Sequence, residues 1–183
     1  MIAENGNRMT TGFVGTPYIL HVLTAAGRTD LAYKLLFQEQ NPSWLYSVTH
    51  GATTMWEHWN SIKEDGSFWS DEMNSFNHYT YGAVYDWIFS TAVGISPIES
   101  APAYREVSIA PHPCRELSFA KASIESRFGR ITSHWYYNGD VVHYEFEIPE
   151  GVIAHITLPG GFTETVGSGN CSMIDEMPCK NKD

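Results

Sequence analysis

One carboxylate, Glu57, stands between two indoles in the stretch Gly51-Ala52-Thr53-Thr54-Met55-Trp56-Glu57-His58-Trp59-Asn60. Trp44 and Tyr46 precede it, and Phe68, Trp69, Phe76, Tyr79 and Tyr81 follow. Four of the chain's six tryptophans fall between Trp44 and Trp69. Indole and phenol rings offer flat apolar faces with a polar edge, which match the C–H patches and hydroxyl rim of a sugar. A carboxylate held among such rings is partly desolvated and suited to act as a base. Glu57 is therefore the candidate catalytic carboxylate of a site that cleaves glycosides. The competing reading makes it one surface acid among 21 Asp+Glu, with the aromatics as core.

Other chemistries find less support. The eight histidines invite a metal, but the one plausible cluster, His50, Glu57, His58 and His78, has no ligand spacing that a metal site requires. No metal is expected. There is no Gly-rich phosphate loop, HExxH, CxxC pair or GxSxG elbow, so no cofactor is expected either. The cysteines, Cys114, Cys171 and Cys179, are odd in number and irregularly spaced, which is no disulfide framework. Cys171 and Cys179 could pair, although three free thiols is the simpler expectation. A formal net charge of −10 disfavours nucleic acid and anionic membrane surfaces as partners. No apolar run approaches the roughly 20 residues of a membrane helix. Met1 to Asn7 lacks a basic region followed by an apolar core, so no signal peptide is expected there.

The elements that must position these residues change character along the chain. Thr16 to Ala26 reads as a helix, with Thr16 as cap, Pro17 in the first turn and Gly27 at its end. Thr29 caps a second, with Leu31, Ala32, Leu35 and Leu36 at helical spacing. The short link makes the two an αα-hairpin. Ser43 to Gly51 is a loop or short helix, and Asn60 to Asn74 is polar and turn-rich, with Asp65-Gly66-Ser67 at a tip. Ser75 is expected to cap a long helix from Phe76 to Val93, whose buried stripe is Phe76, Tyr79, Ala83, Trp87 and Ile88.

After Pro102 the period becomes that of strands. Val142, Tyr144, Phe146 and Ile148 form one apolar face, and Val152, Ala154, Ile156 and Leu158 repeat the alternation. Asn138-Gly139 signals a type I′ hairpin. About six strands are expected from Arg105 onward, in a sandwich or meander, before a polar, frayed tail from Met177.

Four segments together resemble the bacterial α-L-rhamnosidases, glycoside hydrolase family 78. They are Thr11-Gly12-Phe13-Val14-Gly15-Thr16-Pro17, Gly51 through Glu57, Ser75-Phe76-Asn77-His78-Tyr79, and Tyr104-Arg105 through Pro111. The resemblance implies a multidomain protein, α then β. Residues 1–97 look like the last part of an (α/α)6 toroid, and residues 98–183 like the antiparallel β-sandwich that ends those enzymes. Glu57 matches the general base that activates water in an inverting mechanism, and His78 matches a sugar-contacting histidine. Trp56, beside the base, is carried over as a pocket-lining residue, with core packing an equal contender; Trp87 reads better as core.

The chain departs from the family in two ways. It supplies three or four helices where six hairpins are needed, and the family's general acid lies on an upstream segment. The resemblance therefore implies a C-terminal fragment of a rhamnosidase, inactive by itself. Its partners would be a rhamnose-containing glycoside and the missing N-terminal part of the enzyme. Bacterial cytoplasm and periplasm both stay open. The alternative, from a different class, is a carbohydrate-binding or assembly module that kept the fold and lost the chemistry. A polysaccharide lyase would call for a Tyr/His/Arg constellation, and Arg28 and Arg105 are poorly placed for one.

Overall fold

The computed structural model describes residues 2–176. The tail read as frayed, and with it the pairing considered between Cys171 and Cys179, lies outside the described residues. A short helical part is followed by antiparallel-rich sheets, in two compact units, Met1–Trp87 and Ile88–Asp183.

In the first unit, helix α1 spans Thr16–Ala25 and α2 Thr29–Leu36, and the two pack together. Pro17 sits in the first turn of α1, where its missing N–H costs nothing. The caps differ from expectation. Gly15 and Arg28 hold the two N-cap positions, without side-chain capping bonds. Thr16 is 1% exposed and turns its hydroxyl inward to the Thr11 carbonyl at 3.2 Å. Gly27, at φ +72°, supplies the left-handed turn that ends α1. Helix α3 (Trp44–Thr49) is capped by Ser43, whose hydroxyl accepts from Tyr46 N at 3.1 Å.

The helix expected over 76–93 begins at Tyr79 rather than Phe76 and is not uniformly α-helical. Ser75 to His78 are non-helical; a 3₁₀ turn covers Tyr79–Ala83, and only then comes α4 (Val84–Trp87). Tyr79, placed in the buried stripe by its spacing, is 87% exposed. Trp87 is core as expected. It is 1% exposed, donates to Thr24 Oγ1 at 2.9 Å and meets Tyr33 edge-on at 5.0 Å.

The second unit opens with a π-helical segment, Ile88–Val93. Eight strands follow: β1 Ile95–Pro97, β2 Glu106–Ile109, β3 Phe119–Ser126, β4 Gly129–Asn138, β5 Val141–Ile148, β6 Ile153–Thr157, β7 Thr163–Val166 and β8 Gly169–Glu176. They form two four-stranded sheets, β1-β2-β6-β7 and β3-β4-β5-β8, antiparallel except for β2 beside β6. Strand β1 lies before Arg105, where the expected strands begin. The turn after β4 also differs. Asn138 pairs with Val141, so its central residues are Gly139 and Asp140. Only Gly139 has positive φ, at +62°, as type II′ requires at its first central position.

Both sheets bury one core, from Ile95, Val107, Ile109, Ala154 and Ile156 on one and Ile131, Trp135, Val142, Tyr144, Phe146 and Ile148 on the other. Each fully buried large apolar side chain there contributes about 1.5–3 kcal/mol. The alternation in β5 and β6 falls as its pattern demands: Val142, Tyr144, Phe146, Ile148, Val152, Ala154, Ile156 and Leu158 are all buried. Gly94, at φ +92°, is required, because a Cβ there would lie 2.2 Å from Pro111 N.

The first unit carries apolar surface of a different kind. Tyr18 (66%) and Val22 (59%) lie four residues apart on one face of α1, and Val14 is 86% exposed. Helices with such uncovered faces gain little from tertiary packing. Amide hydrogen exchange on the chain should therefore find α1 and α2 less protected than β4 and β5. Equal protection in helices and strands would contradict this.

Candidate active site

Glu57 lies on the non-helical segment that follows α3. Gly51, at φ +84°, turns the chain out of that helix, and Ala52 N donates back to Ser47 O at 2.9 Å. From Ile62 to Phe68 the chain makes an isolated β-bridge around the tip. There Asp65 Oδ1 accepts from Ser67 N at 2.9 Å and Ser67 Oγ at 2.7 Å. The loop is then pinned to its own start: Trp69 N and Asn74 Nδ2 both donate to Ser61 O, at 3.0 and 2.8 Å. The His58 and Trp69 rings stack at 3.6 Å.

This folding brings residues 75–78 alongside 54–57. Glu57 N donates to Ser75 O at 2.9 Å, and His78 N donates to Met55 O at 2.8 Å. Thr54 Oγ1 donates to Phe76 O. Ser75 N donates to Glu57 Oε2 at 2.9 Å. Glu57 is thus gripped by both backbone polar groups of Ser75. Sequence reading gave Ser75 a different task, that of a helix cap. No local sequence signal marks this role, because the partner lies eighteen residues away. The half-buried Glu57 carboxylate keeps its other oxygen without a protein hydrogen bond among the described residues. A carboxylate fixed by one oxygen and open at the other can orient a water and take its proton.

The aromatics sort into two sets. Trp56 is 4% exposed and packs edge-on against Phe76 at 5.6 Å. Trp59 stacks on Tyr81 at 3.8 Å, Trp44 meets Trp59 edge-on at 5.4 Å, and Trp44 Nε1 donates to Tyr81 O at 2.9 Å. These rings build the frame. His78 is half-buried, stacked on Phe13 at 4.9 Å with 10° between the ring planes. Beside it, Pro17, Met55, Asn77, Tyr79 and Gly82 border an open depression of about 590 Å³.

The neighbouring acids do not offer a proton donor. The Ser67 hydroxyl and amide hold the Asp65 carboxyl below its ordinary range, the wrong direction for a group that must carry a proton. Asp71 and Glu72 are exposed loop residues. His50 is stacked on Tyr46, away from any metal-like cluster. Among the described residues, no three His, Cys, Asp or Glu gather where they could hold a metal ion, and no helix is long and apolar enough to cross a membrane.

With helices, sheets and a held carboxylate in place, comparison with known proteins gives the class. The bacterial α-L-rhamnosidase six-hairpin glycosidase domain matches residues 1–92, and the C-terminal domain of the same enzymes matches residues 94–171. The chain belongs to the bacterial α-L-rhamnosidase family of glycosidases. It is 40% identical over 169 residues to an α-L-rhamnosidase of Formosa agariphila, covering 92% of this chain and 18% of that protein. It is 41% identical over 158 residues to one of Streptomyces avermitilis, covering 86% and 15%. The crystal structure of a Streptomyces avermitilis α-L-rhamnosidase complexed with L-rhamnose superposes with a TM-score of 0.90 at 36% identity, over 95% of this chain and 19% of that one. The native Aspergillus terreus enzyme gives 0.91 at 35%, over 97% and 20%. The chain thus spans about a fifth or less of the length of these relatives.

The grip on Glu57 can be tested directly. Ser75→Pro removes the N–H that holds the carboxylate and should cost about 1.5–3 kcal/mol, the worth of a hydrogen bond to a charged group. Ser75→Ala keeps that N–H and should stay within about 1 kcal/mol of the parent. Urea denaturation followed by tryptophan fluorescence reads both; equal losses would remove the backbone bond from the account.

Proposed function

We propose that this chain contributes the general base to an inverting glycosidase that releases terminal α-L-rhamnose. The observation that carries the reading is the Glu57 carboxylate, held by Ser75 N at one oxygen and open at the other, within a segment that matches a six-hairpin glycosidase domain. In this reading Glu57 takes a proton from the attacking water on the face of the sugar opposite the leaving group. His78 contacts a sugar hydroxyl. Trp56 serves as the wall behind the base and keeps its surroundings dry.

An inverting glycosidase needs a second carboxyl about 6.5–9.5 Å from the first, carrying a proton for the leaving oxygen. None of Asp65, Asp71 and Glu72 is assigned that task, so the acid comes from elsewhere in the enzyme. A polypeptide of these 183 residues alone should accordingly show no turnover of an aryl α-L-rhamnoside. Turnover above that of its Glu57→Ala variant would overturn the division of labour.

In the complete enzyme, Glu57→Gln keeps size and loses the basic lone pair. It should lower kcat about 10²–10⁴-fold with KM little changed, because the base acts in the transition state. His78→Ala should raise KM as well. Azide should partly rescue Glu57→Ala and yield a rhamnosyl azide of inverted configuration. A retained product, or near-normal kcat in Glu57→Gln, would exclude Glu57 as the base of an inverting enzyme and leave it a carboxylate at the edge of the pocket.

A further inference from the structure

The two ring nitrogens of His78 stand in different surroundings. Nδ1 is shielded from solvent and has no hydrogen-bond partner among the described residues. Nε2 is not so enclosed. The backbone on either side is fixed by His78 N donating to Met55 O at 2.8 Å. One face of the ring lies nearly parallel to Phe13, at 4.9 Å and 10°. Phe13 is itself braced by Tyr81, at 5.0 Å, and Tyr81 by Trp59. Phe13 sits in the loop before α1, far in sequence from both Glu57 and His78, and is 38% exposed.

We infer that Phe13 is a positioning residue. It holds the His78 imidazole in one plane and one neutral tautomer, so that Nε2–H is presented as a hydrogen-bond donor to an acceptor oxygen on the sugar. The physical argument concerns the enclosed nitrogen. A proton on Nδ1 would bury an N–H with no acceptor, and orphaned buried N–H groups are rarer than under-used acceptors. The tautomer with its proton on Nε2 leaves only a lone pair enclosed. A ring free to flip about its bond to Cβ would exchange the surroundings of its two edges and lose this selection. Packing flat on Phe13 prevents that flip.

This inference rests on the proposed sugar contact of His78 for its purpose, but its test does not. Histidine ring nitrogens that carry a proton resonate at ¹⁵N shifts well separated from those that do not. Long-range ¹H–¹⁵N correlation on the 183-residue chain, labelled in histidine and assigned with His78→Gln, reads the tautomer directly. The expected result near neutral pH is a protonated Nε2 and an unprotonated Nδ1. Phe13→Leu should average the two shifts or broaden them, and Phe13→Tyr should restore the parent pattern, with circular dichroism confirming the fold of each. A protonated Nδ1 in the parent overturns the inference, and needs no variant to fold. So does an unchanged tautomer in Phe13→Leu. Titration with L-rhamnose is the separate arm. If the tautomer is as stated and His78 resonances ignore the sugar, positioning stands and the sugar-contact reading falls.

Discussion

The arrangement around Glu57 depends on one local constraint, the return of the chain at Ser75 after the loop that begins at His58. The peptide of Ser75 receives the Glu57 amide and gives its own to the Glu57 carboxylate. Everything between serves that return. Asp65 closes the tip, Ser61 O collects Trp69 and Asn74, and the His58–Trp69 stack presses the sides together. A backbone donor makes a good clamp for a carboxylate, because it has no rotamers to lose and cannot titrate.

The aromatic content of this region divides its labour. Trp59, Trp44 and Tyr81 are packed against one another by stacking and edge contacts, Trp56 packs edge-on against Phe76, and these contacts hold the backbone still. Phe13, Phe68, Trp69 and Tyr79 keep a third or more of their surface exposed. A polar group placed on a packed frame is held to a tighter geometry than one on a free loop. The frame is therefore as much a part of the candidate site as Glu57 itself.

The second unit solves a different problem, the carbonyls at the end of its π-helical segment. Trp135 Nε1 donates to Ala92 O at 2.7 Å and Ser133 Oγ to Val93 O at 2.8 Å, both buried. His112 N takes Thr91 O at 3.0 Å, and Ala110 N takes Gly94 O at 2.8 Å. The sandwich core is thus built around satisfied polar groups as well as apolar burial, as a buried helix end demands.

Strand alternation, helix breakers and the turn glycines were legible in the sequence, because each depends on neighbours a few residues away. The faces of β5 and β6, the stop at Gly27 and the burial of Trp87 follow from period and residue type alone. So did the order of helices before strands and the family to which the chain belongs. The helix expected from Ser75 was not decided that way. Its apolar spacing fits a helix, yet the Ser75 N–H finds a carboxylate eighteen positions back in the chain, a partner no local pattern reveals. The same holds for Phe13 on His78, and for Thr16, which packs inward where it was expected to cap. Sequence by itself singled out Glu57, His78 and Trp56 as candidates. Only the tertiary structure decided which backbone group fixes Glu57 and which ring holds His78, because both contacts join segments that meet only after the chain has folded.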